Sequence, residues 1–154
     1  MPVLSRRGIL AIAAAVDIAL QKDGRPVTAK TLAARHGLPS RYLELLLQRL
    51  VRDGILKGFR GQRGGYRLVR EHTGVTANDI LRTATKHANE QETNSDLVTK
   101  VVIPILSAAE HEFGQALSRI TLDDIVKLAK LSGFGAERRG SQPETVLRNA
   151  RPKA

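Results

Sequence analysis

Residues 60–68 read R-G-Q-R-G-G-Y-R-L, three glycines and three arginines in nine positions. Gly61, Gly64 and Gly65 permit the positive-φ turns that join two short antiparallel strands. Arg60, Arg63 and Arg67 carry planar, permanently charged forks suited to phosphate and to the narrow, negative minor groove of DNA. Taken alone, such a stretch describes a solvated hairpin tip. Its upstream neighbours change the reading.

Thr28 has the chemistry of an N-cap for a short helix over 29–36, which Gly37 ends. Pro39 and Ser40 open a further helix in which Leu43, Leu46, Leu47, Leu50 and Val51 form one apolar stripe. The opposite face holds Arg41, Glu44, Gln48, Arg49 and Arg52, and Asp53-Gly54 stops the helix. A helix-turn-helix needs a small residue where its helices touch, here Ala33. It also needs a residue tolerant of left-handed φ, here Gly37, and an apolar anchor in the second helix, here Leu43. Residues 55–59 and 66–69 read as the two strands of the hairpin. A helix pair followed directly by a basic hairpin is the pattern of a winged helix.

The contacts expected of that fold can be named. Ser40, Arg41, Tyr42 and Glu44 face base edges in the major groove, with Arg41 forking onto guanine and Glu44 accepting from a cytosine amino group. Arg60 and Arg63 enter the minor groove, and Gly61, Gly64, Gly65 and Arg67 complete the wing's side of the interface. Thr28 and Lys30 hold phosphates at a helix N-terminus, with Arg6 or Arg7 as further candidates. Two of these side chains have a plainer alternative. Glu44 is equally a partner for Gln48 or Arg41 on a solvated face, and Tyr42 a packing residue. Tyr66 reads better as a prop beneath the wing.

The fold class is mainly α with a small β-hairpin. A first helix over 5–22 carries Ile9, Ile12, Ala13, Val16, Ala19 and Leu20 at helical spacing. Thr76 starts another helix, and Asp79 three residues on approaches a capping box. Residues 86–96 lack periodicity and read as a loop. A long helix then bears Val98, Val101, Val102, Ile105, Leu106, Ala109, Phe113 and Leu117 on one apolar face for about six turns. Pro104 is expected to bend it. Thr121 and Asp124 cap a last helix ending at Gly133. The organisation is thus a DNA-binding domain over 1–85, the loop 86–96, dimerisation and terminal helices over 97–133, and a disordered basic tail over 134–154.

Composition narrows the function. The chain has 154 residues and a formal net charge of +10, enough for one ordinary core. Residues 1–72 carry 14 Lys/Arg against 5 Asp/Glu, whereas 73–135 carry 6 against 8. A basic first half joined to a near-neutral second half suits a polyanion-binding module joined to an assembly module. With no cysteine, disulfides, thiolate metal sites and cysteine nucleophiles are excluded. No apolar run approaches the roughly 20 residues of a transmembrane helix. Ser5-Arg6-Arg7-Gly8 and the apolar run after it imitate an export signal, but Asp17 interrupts the run and no small-residue cleavage site follows. A cytoplasmic protein at the bacterial nucleoid is expected. There is no phosphate-cradling loop, HExxH or nucleophile elbow, so an enzyme is not expected. Two Tyr, three Phe and no Trp leave no stacking platform for single strands.

L-S-R-R-G at 4–8, R-Y-L-E-L-L-L at 41–47, the wing motif at 60–68 and I-T-L-D-D-I-V at 120–126 together resemble the Rrf-two family of winged-helix repressors. This group includes regulators of iron–sulfur cluster assembly, nitric oxide response and cysteine metabolism. The likeness spans residues 4–126, and the wing is its most specific part. It implies a homodimer on a partly palindromic operator in double-stranded DNA, clasped by the long helix, whose apolar face from Val98 to Leu117 would then be the dimerisation face. Carried over by position, base reading falls on Arg41, Tyr42, Glu44 and Arg60. Pro39 stands where members often have a capping serine. Many members hold an iron–sulfur cluster on cysteines in the loop before the dimer helix. Here that loop reads K-H-A-N-E-Q-E-T-N-S-D, and Lys100 aligns with the last cysteine. No cluster, metal or other cofactor is therefore expected, and His87, Glu90, Glu92, His111 and Glu112 read as solvated. The effector, small molecule or protein, is left open. An alternative is a family-like protein acting mainly through protein partners, its DNA binding weak or lost.

Overall fold

The computed structural model describes residues 4–21, 23–69, 74–86 and 95–135. In chain order these form α1 (Arg6–Ala19), α2 (Ala29–His36), α3 (Ser40–Arg52), β1 (Leu56–Phe59), β2 (Gly65–Leu68), α4 (Ala77–Thr85), a π-helical turn (Val98–Val102), α5 (Ile103–Ser118) and α6 (Leu122–Leu131). The mainly helical chain with one antiparallel hairpin agrees with the fold class read from sequence. Residues 87–94 of the expected loop and 136–154 of the expected tail lie outside the described residues.

Local chemistry explains most boundaries. Ser5 caps α1 by accepting from Gly8 N–H at 3.1 Å. The helix ends at Ala19, short of the expected residue 22, because Gln21 N–H turns back to Ile18 O at 3.2 Å. Such i→i−3 bonds tighten and close a last turn. Thr28 caps α2, and Gly37 (φ 61°, ψ 38°) closes it in the left-handed conformation that glycine adopts without steric cost. Pro39 opens α3 with no side-chain cap, in keeping with the missing serine.

Ala11, Ala14 and Ala15 are fully buried, so α1 packs through a face of minimal side chains. A Cβ at Gly8 would run into Leu81 of α4. Around α1 lie Leu32, Leu43, Leu47, Leu50, Leu56, Ile80, Leu122 and Val126, all with under 2% exposure. The core thus draws on both halves of the chain, α6 included.

Three features were not foreseen. Asp17, read as an interruption, is buried: Arg35 Nη1 bonds its Oδ1 at 2.7 Å, tying α1 to the end of α2. His36 Nε2 lies 3.2 Å from Asp17 Oδ2 but is not aligned as a hydrogen bond. Second, the capping boxes of α4 and α6 lie side by side: Ala77 N–H donates to Ile120 O at 2.8 Å, and Leu122 N–H to Val75 O at 2.7 Å. Third, Ile103 N–H reaches back to Val98 O, a π-type bond, immediately before Pro104. Proline has no N–H for the carbonyl of Lys100 and its ring crowds that carbonyl, so the preceding turn widens. Helical structure begins at Asp96, inside the stretch read as loop.

Candidate nucleic-acid interface

The helix-turn-helix rests on the three positions singled out in the sequence. Ala33 and Leu43 are buried at the contact of α2 and α3, and Leu38 N–H bonds Ala33 O at 2.9 Å across the turn. On α3, Ser40, Arg41 and Glu44 are exposed. Tyr42 is half-buried in a crevice with Arg7, Leu45, Leu46 and Arg49. It therefore leans towards α1, and exposed Leu45 adds an apolar group to the outward face of α3, which the sequence reading omitted.

The wing is anchored at the entrance to α2. Val27 N–H bonds Tyr66 O at 2.9 Å, and Tyr66 N–H bonds Val27 O at 2.8 Å, which adds a one-residue third strand to the hairpin. Gly65 (φ 142°) makes this possible, since a Cβ there would lie 2.6 Å from Val27 C and O. Gly64 N–H closes the tip by bonding Gly61 O at 3.0 Å. Gly61 holds φ 97°, and a Cβ on Gly64 would meet the Phe59 carbonyl. The wing's own backbone therefore requires these glycines, whatever else touches them.

Tyr66 packs against the core under the wing, as expected. Burial raises its hydroxyl pKa above 10, and the nearby Glu44 carboxylate adds to the shift. Among the described residues, no hydrogen bond or ion pair joins Glu44 to Gln48 or Arg41.

Thr28 Oγ1 accepts from Thr31 N–H at 3.1 Å and shares a 2.9 Å bond with Thr31 Oγ1, so its hydroxyl already serves the cap. Lys30, Arg60 and Arg63 are exposed. Arg67 is exposed but braced, its Cζ 5.1 Å from the Phe59 ring centroid and its Nη1 3.4 Å from Gly24 O.

The far end of α3 is latched to α4. Asp53 Oδ2 accepts from Lys86 Nζ at 2.9 Å and Thr83 Oγ1 at 2.7 Å, while Arg49 Nη1 bonds Ala84 O at 3.2 Å. The Lys86 bond, then that of Thr83, holds the Asp53 carboxyl below 3.8.

The proposed dimer residues divide into two groups. Val101, Val102, Ile105, Leu106 and Ala109 are exposed, Ile105 by 66% and Leu106 by 60%. Val98, Phe113 and Leu117 are half-buried in their own chain. Asn78 Nδ2 bonds Ser118 Oγ at 3.0 Å and lies against Gly114, so the end of α5 serves the fold. Leu97, 64% exposed, joins the apolar face before the π turn. His111 Nε2 is hydrogen-bonded to Gln115 at 2.9 Å, and His87, Glu90 and Glu92 lie outside the described residues.

A helix pair presenting an open α3 face, with a basic wing bonded to its base, defines a winged-helix, DNA-binding transcriptional regulator. The family model described as "Rrf2: Iron-dependent Transcriptional regulator" matches residues 4–128, and the chain belongs to the Rrf2 family. It is 32% identical over 129 residues to a putative HTH-type transcriptional regulator of Synechocystis, covering 79% of this chain and 86% of that one. Among solved structures, CymR, the global cysteine regulator of B. subtilis, superposes with a TM-score of 0.62 at 25% identity, covering 80% of this chain and 95% of that one. IscR of T. potens superposes at 0.61 with 30% identity, covering 83% and 88%. These relatives are regulators, not enzymes.

The family description includes iron, which a protein holds only through a suitable set of donor side chains. A thiolate-held cluster needs soft sulfur ligands, and this chain has no cysteine. Among the described residues, no group of three or more His, Asp or Glu is placed to hold a metal ion. The donor set does not fit an iron–sulfur cluster.

Proposed function

We propose that the chain is a homodimeric, sequence-specific transcriptional repressor that works without an iron–sulfur cluster on a partly palindromic operator in double-stranded DNA. The observation carrying this reading is the Val27–Tyr66 pair, which bonds the wing to the start of α2, the helix against which α3 packs through buried Ala33 and Leu43. Groove helix and basic finger therefore share one rigid base. Arg41 and Glu44 read base edges from the major groove, and Tyr42 and Ser40 support them at the helix entrance. Arg60 and Arg63 enter the neighbouring minor groove, and Lys30 neutralises phosphate at the start of α2.

The exposed apolar face from Leu97 to Ala109 supports pairing through the long helix, with recognition helices about 34 Å apart or a multiple of it. The absence of any cysteine supports a cluster-free mechanism. Action on genomic DNA goes with a cytoplasmic location at the nucleoid.

Selection of genomic fragments on the full chain, followed by gel shift, tests the reading. Retardation of a few fragments sharing a two-fold motif is expected; equal retention of all fragments removes sequence specificity. Sedimentation at micromolar concentration is expected to show a dimer that Leu106→Glu converts to monomer. A monomeric parent chain removes the dimer.

A further inference from the structure

The outward face of the wing pairs Arg67, already named from the sequence, with Lys57, which was not. The hairpin register sets Lys57 directly opposite Arg67, and both are exposed. Like charges opposed across a ribbon repel and weaken it. Here both gather about one ring instead: Lys57 Nζ lies 5.6 Å and Arg67 Cζ 5.1 Å from the Phe59 centroid. An aromatic face attracts cations through its quadrupole and steadies them.

Strand alternation explains the arrangement. Residues 57, 59 and 67 share one side of the ribbon, while Leu56, Tyr66 and Leu68 share the side packed on the core. Arg67 has a second tether in the Gly24 carbonyl. Among the described residues, the ion pairs involve Arg35, His36, Lys86, Lys100 and Lys127, so no carboxylate neutralises Lys57 or Arg67. Two cations with no ion pair among the described residues, opposed on one side of a short hairpin and both set against the Phe59 ring, offer a site for an anion. A planar fork beside a compact ammonium offers both kinds of donor that phosphate accepts.

We infer that Lys57 and Arg67, steadied by Phe59, form a phosphate clamp on the flank of the wing that grips the backbone of duplex DNA independently of sequence. The inference rests on the DNA-binding reading above and adds Lys57 and Phe59 to it. Arg60 and Arg63 at the tip read the groove; the clamp fixes how deep the tip sits.

The test needs no operator. The full chain is titrated onto a labelled mixed-sequence duplex by fluorescence anisotropy, from about 50 to about 200 mM salt. Lys57→Gln is expected to flatten the log–log salt slope by about one unit, so its deficit against wild type shrinks about three- to fourfold across that range. Lys57→Arg restores the slope. Phe59→Leu keeps both charges and is expected to weaken binding severalfold at the low-salt end.

A wild-type slope for Lys57→Gln, with Arg63→Gln still flattening it, overturns the clamp and leaves the DNA-binding reading standing. Unchanged affinity in Phe59→Leu removes the ring from it. A wild-type chain with no salt-dependent affinity for the duplex removes the underlying reading itself. Melting curves of each variant check that the fold is kept, Lys57 being solvent-exposed and Phe59 half-buried.

Discussion

Gly65→Ala provides a severe test of how the wing is mounted. The new methyl would lie 2.6 Å from Val27 C and O, both backbone atoms that no rotamer change can clear, at a φ of 142°. The chain must therefore part the Val27–Tyr66 pair and lose two bonds of 2.9 and 2.8 Å. At about 1 kcal/mol net per bond the loss is about 2 kcal/mol. Residual backbone strain adds about 1–3 kcal/mol. A total of about 3–5 kcal/mol is a large share of the roughly 5–15 kcal/mol that holds a domain folded. At about 2–4 °C per kcal/mol for a chain of this size, Tm is expected to fall by about 10 °C. Circular dichroism melts of the full chain measure this. Gly58→Ala is the control, since its added Cβ would only touch Tyr66 Cε1 at 4.0 Å. A Gly65→Ala melt within about 2 °C of wild type, or an equal fall in the control, would refute the mounting. With the wing released, affinity for duplex DNA is expected to fall as well.

Three further outcomes are expected. Arg41→Ala should cost about 1–3 kcal/mol on the selected operator and relax preference at one base position, whereas Lys30→Ala should weaken operator and random DNA alike; equal losses on both DNAs for Arg41→Ala would end its base-reading role. Asp17→Asn should cost about 2–3 kcal/mol by urea denaturation, less than a fully buried pair because Arg35 keeps 33% of its side chain exposed. A loss under about 0.5 kcal/mol would mean the α1–α2 tie contributes little. Asp53 has its pKa depressed in the fold, so its contribution is present above 3.8 and is lost as pH falls through the folded value. The stability gap between wild type and Asp53→Asn should therefore close in acid, and a gap equal at about pH 2 and about pH 7 contradicts the latch.

Much of the interface was legible because its signals are local. A cap, a left-handed glycine and an apolar repeat act within one or two turns, so Thr28, Gly37 and Leu43 announce a helix-turn-helix without reference to the rest of the chain. The wing was legible for the same reason: its turn is written into consecutive glycines. Val27 was not, because a single bridged residue has no periodicity and its partner lies 39 positions away in Tyr66. Asp17 misled because a charge in an apolar run usually marks solvent, and its partner Arg35 belongs to another helix. Lys57 was missed because its meaning depends on strand register, which pairs it with Arg67.

The long helix shows the division most plainly. From residues alone came an apolar face of the right period, a proline that had to disturb it, and two threonine caps further along. Folding decided which part of that face stays open. Asn78 and Ser118 fasten the end of α5 to α4, leaving Ile105 and Leu106 bare, and Leu97 just before the π turn is exposed as well. Periodicity is a property of one segment, whereas burial belongs to the segments that meet. The chain's own order could therefore specify its helices and its wing, but only the packed fold could show which of their surfaces stay exposed.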